Sequence, residues 1–168
     1  MSALKSLTRW FIDPQFSRKK QFLRSLDIFK ELRDRELGYL VSALPSRTYR
    51  EGEVIFVDGD IGRALFVLES GAVKLTLRAP GEAPRVLYQL KPGDFFGEMA
   101  LLESLPRTAT ATATEKTHLH LLYKSKLDSL LQGEPRIGVT IMSHLARLLS
   151  ARLRRLSTDP KLVSGKND

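Results

Sequence analysis

The chain changes its hydrophobic period twice, and that constrains the fold more than any other feature. Up to Pro45 the apolar residues recur at helical intervals. They do so within 4–12 (Leu4, Leu7, Trp10, Phe11), from about Ser17 to Phe29 (Phe22, Leu23, Leu26) and over 34–44 (Leu37, Leu40, Val41, Leu44). Asp13-Pro14 is expected to end the first of these segments, and Pro45 closes the third. From about Arg47 to Tyr123 the period falls to two. RTYREGEVIF, ALFVLESGAVKLTLR, RVLYQL and THLHLLY alternate or run apolar in short lengths, divided by Glu51-Gly52, Asp58-Gly59-Asp60, Ser70-Gly71, Ala79-Pro80-Gly81 and Pro92-Gly93. Short strands with glycine turns predict a small β-sandwich or barrel. After Tyr123 the period is helical again: KSKLDSLLQ, a break at Gly133-Glu134-Pro135, then a helix of about 20 residues with Ile141, Met142, Leu145, Leu148, Leu149, Leu153 and Leu156 apolar. That stripe is wide enough to meet both the β unit and a second copy. Asp159-Pro160 is expected to end the helix, leaving a polar tail.

The sequence has 168 residues, enough for one domain with a real core. Its net charge of +8 is unevenly placed: +5 in 1–35, −2 in 36–135 and +5 in 136–168. A nucleic-acid contact would therefore fall on the flanks, and a solvated helical surface explains the same charges. No apolar run is long enough to span a bilayer. Arg9, Asp13 and Lys19-Lys20 interrupt any secretory core segment, so a cytoplasmic location is expected. The absence of cysteine excludes disulfides and thiolate chemistry.

One helical fragment, Glu98 to about Leu102, interrupts the β pattern within GDFFGEMALLESLPRTATA (93–111). A helix that starts just after a glycine turn presents unpaired N–H groups and a positive dipole end, which suit an anion such as phosphate. Arg107 follows ten residues after Gly97 and can return to the same place. Glu98 would repel a phosphate but can accept from a hydroxyl, such as that of a ribose. Together they describe a nucleotide sugar-phosphate. The alternative is a helix-start charge at Glu98 and a surface arginine at Arg107.

The run Phe96-Gly97-Glu98-Met99-Ala100-Leu101-Leu102 with Pro106-Arg107-Thr108-Ala109-Thr110 closely resembles the phosphate-binding cassette of cyclic nucleotide-binding domains. Leu26-Asp27-Ile28-Phe29, Glu51-Gly52-Glu53-Val54-Ile55-Phe56 with Gly59-Asp60, and Ser70-Gly71-Ala72-Val73 extend the resemblance over roughly residues 22–156. It implies an α+β fold: a β jelly-roll (double-stranded β-helix) with N-terminal helices, an internal cassette helix and a long C-terminal lid helix. The expected divisions are an N-terminal helical extension (1–25), the binding domain (26–156, with its last helix from about 135) and a flexible tail (157–168).

The resemblance also implies roles. Glu98 would accept from the ribose 2′-hydroxyl and Arg107 would pair with the cyclic phosphate, helped by N–H groups from Gly97 to Ala100. Phe96, Met99 and Ala109 belong to the same cassette. Thr108 would lie near the phosphate and a syn purine. Leu75, Leu87 and Tyr88 would line the base pocket, a role compatible with plain core packing. Arg152 would cap the base from the last helix. A threonine at position 108 serves cyclic GMP in some relatives and cyclic AMP in others; cyclic AMP is the expectation. Asp58 stands where a glutamate is common before Gly-Asp.

Transcription factors of this kind continue into a helix-turn-helix, whereas twelve residues follow Leu156, so no direct DNA contact is expected within the chain. The expected output is a ligand-driven move of the last helix toward a separate effector protein, with a homodimer through 136–156. No Walker loop or G-x-S-x-G is present, and no enzymatic activity is expected. No metal is expected either: His118 and His120 alternate on one strand, read as an edge strand, and no carboxylate or cysteine sits at ligand spacing. Two other readings compete. One is a domain that only dimerises and binds no nucleotide. The other is a membrane-peripheral module using Trp10, Phe11 and the basic cluster at 18–24.

Overall fold

A computed structural model describes residues 13–78, 81–103 and 105–158. The expected helical segment at 4–12, with Trp10 and Phe11, lies outside the described residues, as does the polar tail from 159 onward. Helix α1 (Pro14–Ser25) begins earlier than the apolar spacing predicts. Asp13-Pro14 starts this helix. Asp13 is its N-cap, with a carboxylate oxygen accepting from the Gln15 N–H at 2.9 Å, and Pro14 takes a first-turn position where its missing N–H costs nothing. The helix also stops before Phe29. Leu26 is extended, and a short 3₁₀ turn (Asp27–Phe29) follows, which lets Leu26, Ile28 and Phe29 all face the core.

Helix α2 (Asp34–Ala43) leads into eight strands: β1 (Ser46–Tyr49), β2 (Val54–Phe56), β3 (Ala64–Ser70), β4 (Val73–Leu77), β5 (Arg85–Leu90), β6 (Phe95–Phe96), β7 (Thr110–Ala113) and β8 (Thr117–Tyr123). Helix α3 (Glu98–Glu103) interrupts them after β6, as expected. Two helices close the described chain, α4 (Lys124–Gly133) and α5 (Pro135–Thr158); Pro135 opens the long helix. The strands form two antiparallel four-stranded sheets, ordered β1-β8-β3-β6 and β2-β7-β4-β5. This is the expected roll with helices at both ends. Strand β8 lies between β1 and β3, so His118 and His120 are on an interior strand, not an edge, because both of its sides are hydrogen-bonded.

Two apolar clusters share the first sheet. Inside the roll, Phe66, Leu68, Phe96, Leu119 and Leu121 of this sheet pack with Val73 and Ala111 of the other. On the outer face, Leu65, Val67 and Leu122 meet helices from both ends of the chain: Leu23 of α1, Leu37 and Leu40 of α2, Leu101 of α3, and Ile137, Ile141 and Leu145 of α5. Strand β3 is covered on both faces, which is why ALFVL reads as a continuous apolar run. Residues of α3 and α5 belong to the same outer cluster. No helix among the described residues is long and apolar enough to cross a membrane.

Candidate functional site

The β6–α3 junction positions the site. Gly97 has φ +78°, a left-handed conformation that side chains rarely adopt. A Cβ there would also collide with Arg107 Nη1 and lie 3.2 Å from the Ala64 carbonyl oxygen. The glycine therefore lets both the chain turn and the arginine approach. Arg107 is buried, at 7% exposure, and is no surface residue. Its Nη1 donates to the Gly97 carbonyl and its Nη2 to the Ala64 carbonyl, each at 2.8 Å. Its guanidinium carbon sits 4.2 Å from the centre of the Phe56 ring. Burial lowers the guanidinium pKa, with Glu98 and Asp60 opposing the shift. An arginine stays charged through such a perturbation. Two of its five N–H donors are thus committed to carbonyls, which fixes the fork and leaves the others for an anion.

Glu98 is equally buried, at 3%. Its Oε1 accepts from Nη1 of Arg152, which reaches it from α5, and Arg152 Nη2 donates to the Phe95 carbonyl at 2.8 Å. The Arg152 guanidinium lies 5.8 Å from the Tyr88 ring centre. Arg152 thus ties the last helix to the cassette.

These residues surround a cavity of about 650 Å³, within the range of roughly 300–1,000 Å³ typical of small-molecule sites. Gly97, Glu98, Met99, Arg107, Thr108 and Ala109 line it from the cassette, Leu75, Leu87 and Tyr88 from β4 and β5, and Arg152 from α5. Met99 and Thr108 are exposed, and the Thr108 hydroxyl has only a 4.0 Å contact to the Met99 sulfur.

Two of the expected residues stand differently. Phe96 is fully buried inside the roll, stacked on Phe66 with ring centres 5.1 Å apart, and is absent from the cavity lining. Ala100 places its backbone in α3, and its side chain lies outside the described residues. The lining also includes Phe56, Glu103 and Pro106, and Leu149, Ser150 and Leu153 from α5. The spacing of 149, 152 and 153 follows one helical face, so Leu149 and Leu153 were findable once Arg152 was placed on it.

The family model described as "Cyclic nucleotide-binding domain" matches residues 46–134. The cyclic AMP receptor protein of Thermus thermophilus is 34% identical over 142 residues, covering 84% of this chain and 64% of the relative. The crystal structure of the Thermus thermophilus catabolite activator protein superposes with a TM-score of 0.71 at 36% identity, covering 82% of this chain and 62% of that one. A co-crystal structure of the regulatory domain of Toxoplasma gondii PKA with cAMP gives a TM-score of 0.68 at 26% identity, covering 83% of this chain and 50% of that one. The chain thus spans between half and two thirds of these proteins.

Proposed function

The chain belongs to the cyclic nucleotide-binding domain family, and on that premise we propose that it is a sensor that binds cyclic AMP, less well cyclic GMP, and signals through α5. The observation that carries this reading is the pair of buried charges in one cavity, Glu98 and Arg107, each held by different partners. Buried charges are costly unless paired or used. Here the cyclic phosphate accepts from the uncommitted N–H groups of Arg107. The ribose 2′-hydroxyl donates to the Glu98 carboxylate. The purine packs on Leu75, Leu87 and Tyr88, closed from above by Leu149 and Arg152. Thr108, with its hydroxyl weakly engaged, contacts the phosphate or the base edge. The remaining cassette positions, Phe96, Met99, Ala100 and Ala109, hold the turn and the first helical N–H groups in place.

Signalling follows from Arg152. The carboxylate that anchors α5 is the one the ribose hydroxyl needs, so ligand entry changes how α5 is held. A ligand moves that equilibrium only by its differential affinity for the two helix positions. A tenfold difference supplies about 1.4 kcal/mol. The moved helix would then meet a separate effector protein in the cytoplasm. It also carries Val139, 57% exposed, as part of a homodimer surface. The domain binds its ligand and performs no reaction on it.

The test is the affinity of Arg107 variants for cyclic AMP. Arg107→Lys keeps a cation but loses the fork, and Arg107→Ala loses both; each charge-assisted bond is worth roughly 1.5–3 kcal/mol. Both variants should bind at least tenfold more weakly while Arg107→Lys still melts cooperatively. Unchanged affinity in a folded variant refutes the phosphate assignment.

A further inference from the structure

Strand β8 carries two histidines that the nucleotide cavity does not use. His118 and His120 are two residues apart and so share one face of the sheet, the face toward the helices. On one side β1 supplies hydroxyls. Ser46 Oγ lies 2.8 Å from His120 Nδ1, and Thr48 Oγ1 lies 2.8 Å from His118 Nδ1. On the other side the β3–β8 register slips by one residue between Leu68 and Ser70, and Glu69 is the extra residue. Its Oε2 comes within 2.9 Å of His120 Nε2 and 3.4 Å of His118 Nε2. Sequence spacing finds no carboxylate beside these histidines; the neighbouring strand provides one.

His120 is 1% exposed, and its Nε2 has no hydrogen-bond partner among the described residues. The Glu69 carboxylate, 2.9 Å away, makes no hydrogen bond to it. A buried nitrogen close to an oxygen without a bond between them is what a shared cation resolves. We propose that Glu69, His118 and His120 form a three-ligand site for a divalent transition metal of the zinc class, with a further position open to the adjoining pocket.

Several observations support that chemistry. One ligand atom from each residue lies within 4.8 Å of the others. Tetrahedral zinc, with bonds of about 2.0–2.1 Å, separates its ligands by about 3.4 Å, so the 2.9 and 3.4 Å approaches need little adjustment. Both Nδ1 atoms already meet hydroxyls, the outer support that fixes a ligating ring and frees its Nε2. The pocket, about 490 Å³, shares no lining residue with the nucleotide cavity. Arg18 and Lys19 also line it, opposite a single ligating carboxylate. That balance disfavours calcium and magnesium, which seek several oxygens, and favours a metal that accepts imidazole.

The probes are Zn²⁺ and Co²⁺ salts, added to the full chain after chelator treatment and removal of the chelator. The expected result is one Co²⁺ per chain with the intense visible absorption of four-coordinate cobalt, displaced by Zn²⁺. Glu69→Gln and His118→Asn, the latter at a partly exposed position, should each weaken binding at least tenfold. Both should keep a cooperative melt by circular dichroism. Absence of stoichiometric binding overturns the proposal, as does binding that survives unchanged in both folded variants.

Discussion

The contact between Arg152 and Glu98 joins α5 to the cassette, and replacing Arg152 by Met isolates it. Methionine keeps the apolar stem of the side chain but removes the guanidinium. Two hydrogen bonds go, to the Glu98 carboxylate and to the Phe95 carbonyl. Glu98, its side chain 4% exposed, then loses its hydrogen-bonded cation and keeps only the longer-range attraction of the Arg107 guanidinium, so much of its buried charge goes uncompensated. Arg152 itself is 23% exposed, which places the loss below that of a fully buried pair. The expected destabilisation is about 1.5–3 kcal/mol. For a domain of this size that corresponds to a fall in Tm of about 3–12 °C. The assay is urea denaturation of ligand-free protein, since bound nucleotide would add its own stabilisation. The second arm adds Glu98→Gln. With the carboxylate neutralised, the double variant should be more stable than Arg152→Met alone. A single variant within about 0.5 kcal/mol of the parent protein, or a double variant no better than the single, refutes the buried-charge reasoning.

Gly97→Ala should destabilise by more than about 1 kcal/mol in the same assay, because it combines a positive φ with a collision at Arg107; nucleotide affinity should fall with it. His144 makes a pH prediction. Burial, then Arg147, lowers its imidazole pKa below 6.5, with Asp27 opposing. The folded chain therefore binds fewer protons than the unfolded chain as pH drops below 6.5, and stability falls through that window. Stability against pH should be flatter there for His144→Gln; an unchanged slope contradicts the assignment.

Much of the roll was legible because the period switch and the glycine turns act locally. ALFVLE and THLHLLY announce strands whatever surrounds them. The cassette was legible for a related reason: Gly97, Glu98 and Arg107 lie within eleven consecutive residues, so their order carries most of their geometry. Distant partners were not legible. Arg152 lines the cavity as expected of a base-capping residue, but its contacts to Glu98 and to the Phe95 carbonyl depend on how α5 crosses the roll. Phe96 belongs to the core because β6 turns it inward against Phe66. Glu69 meets the β8 histidines only through a one-residue register slip, which no periodicity encodes. Asp13-Pro14 also caps and opens α1, a role the apolar spacing does not reveal because the first apolar residues of that helix come later.

The measurement that tests the central claim most directly is calorimetric titration of the full chain with cyclic AMP and with cyclic GMP, after denaturation and refolding to strip carried-over ligand. Binding of cyclic AMP at micromolar affinity or tighter, and tighter than cyclic GMP, is the expected result. No heat with either nucleotide, from a folded and emptied sample, would contradict it and leave a dimerising scaffold as the reading of this fold.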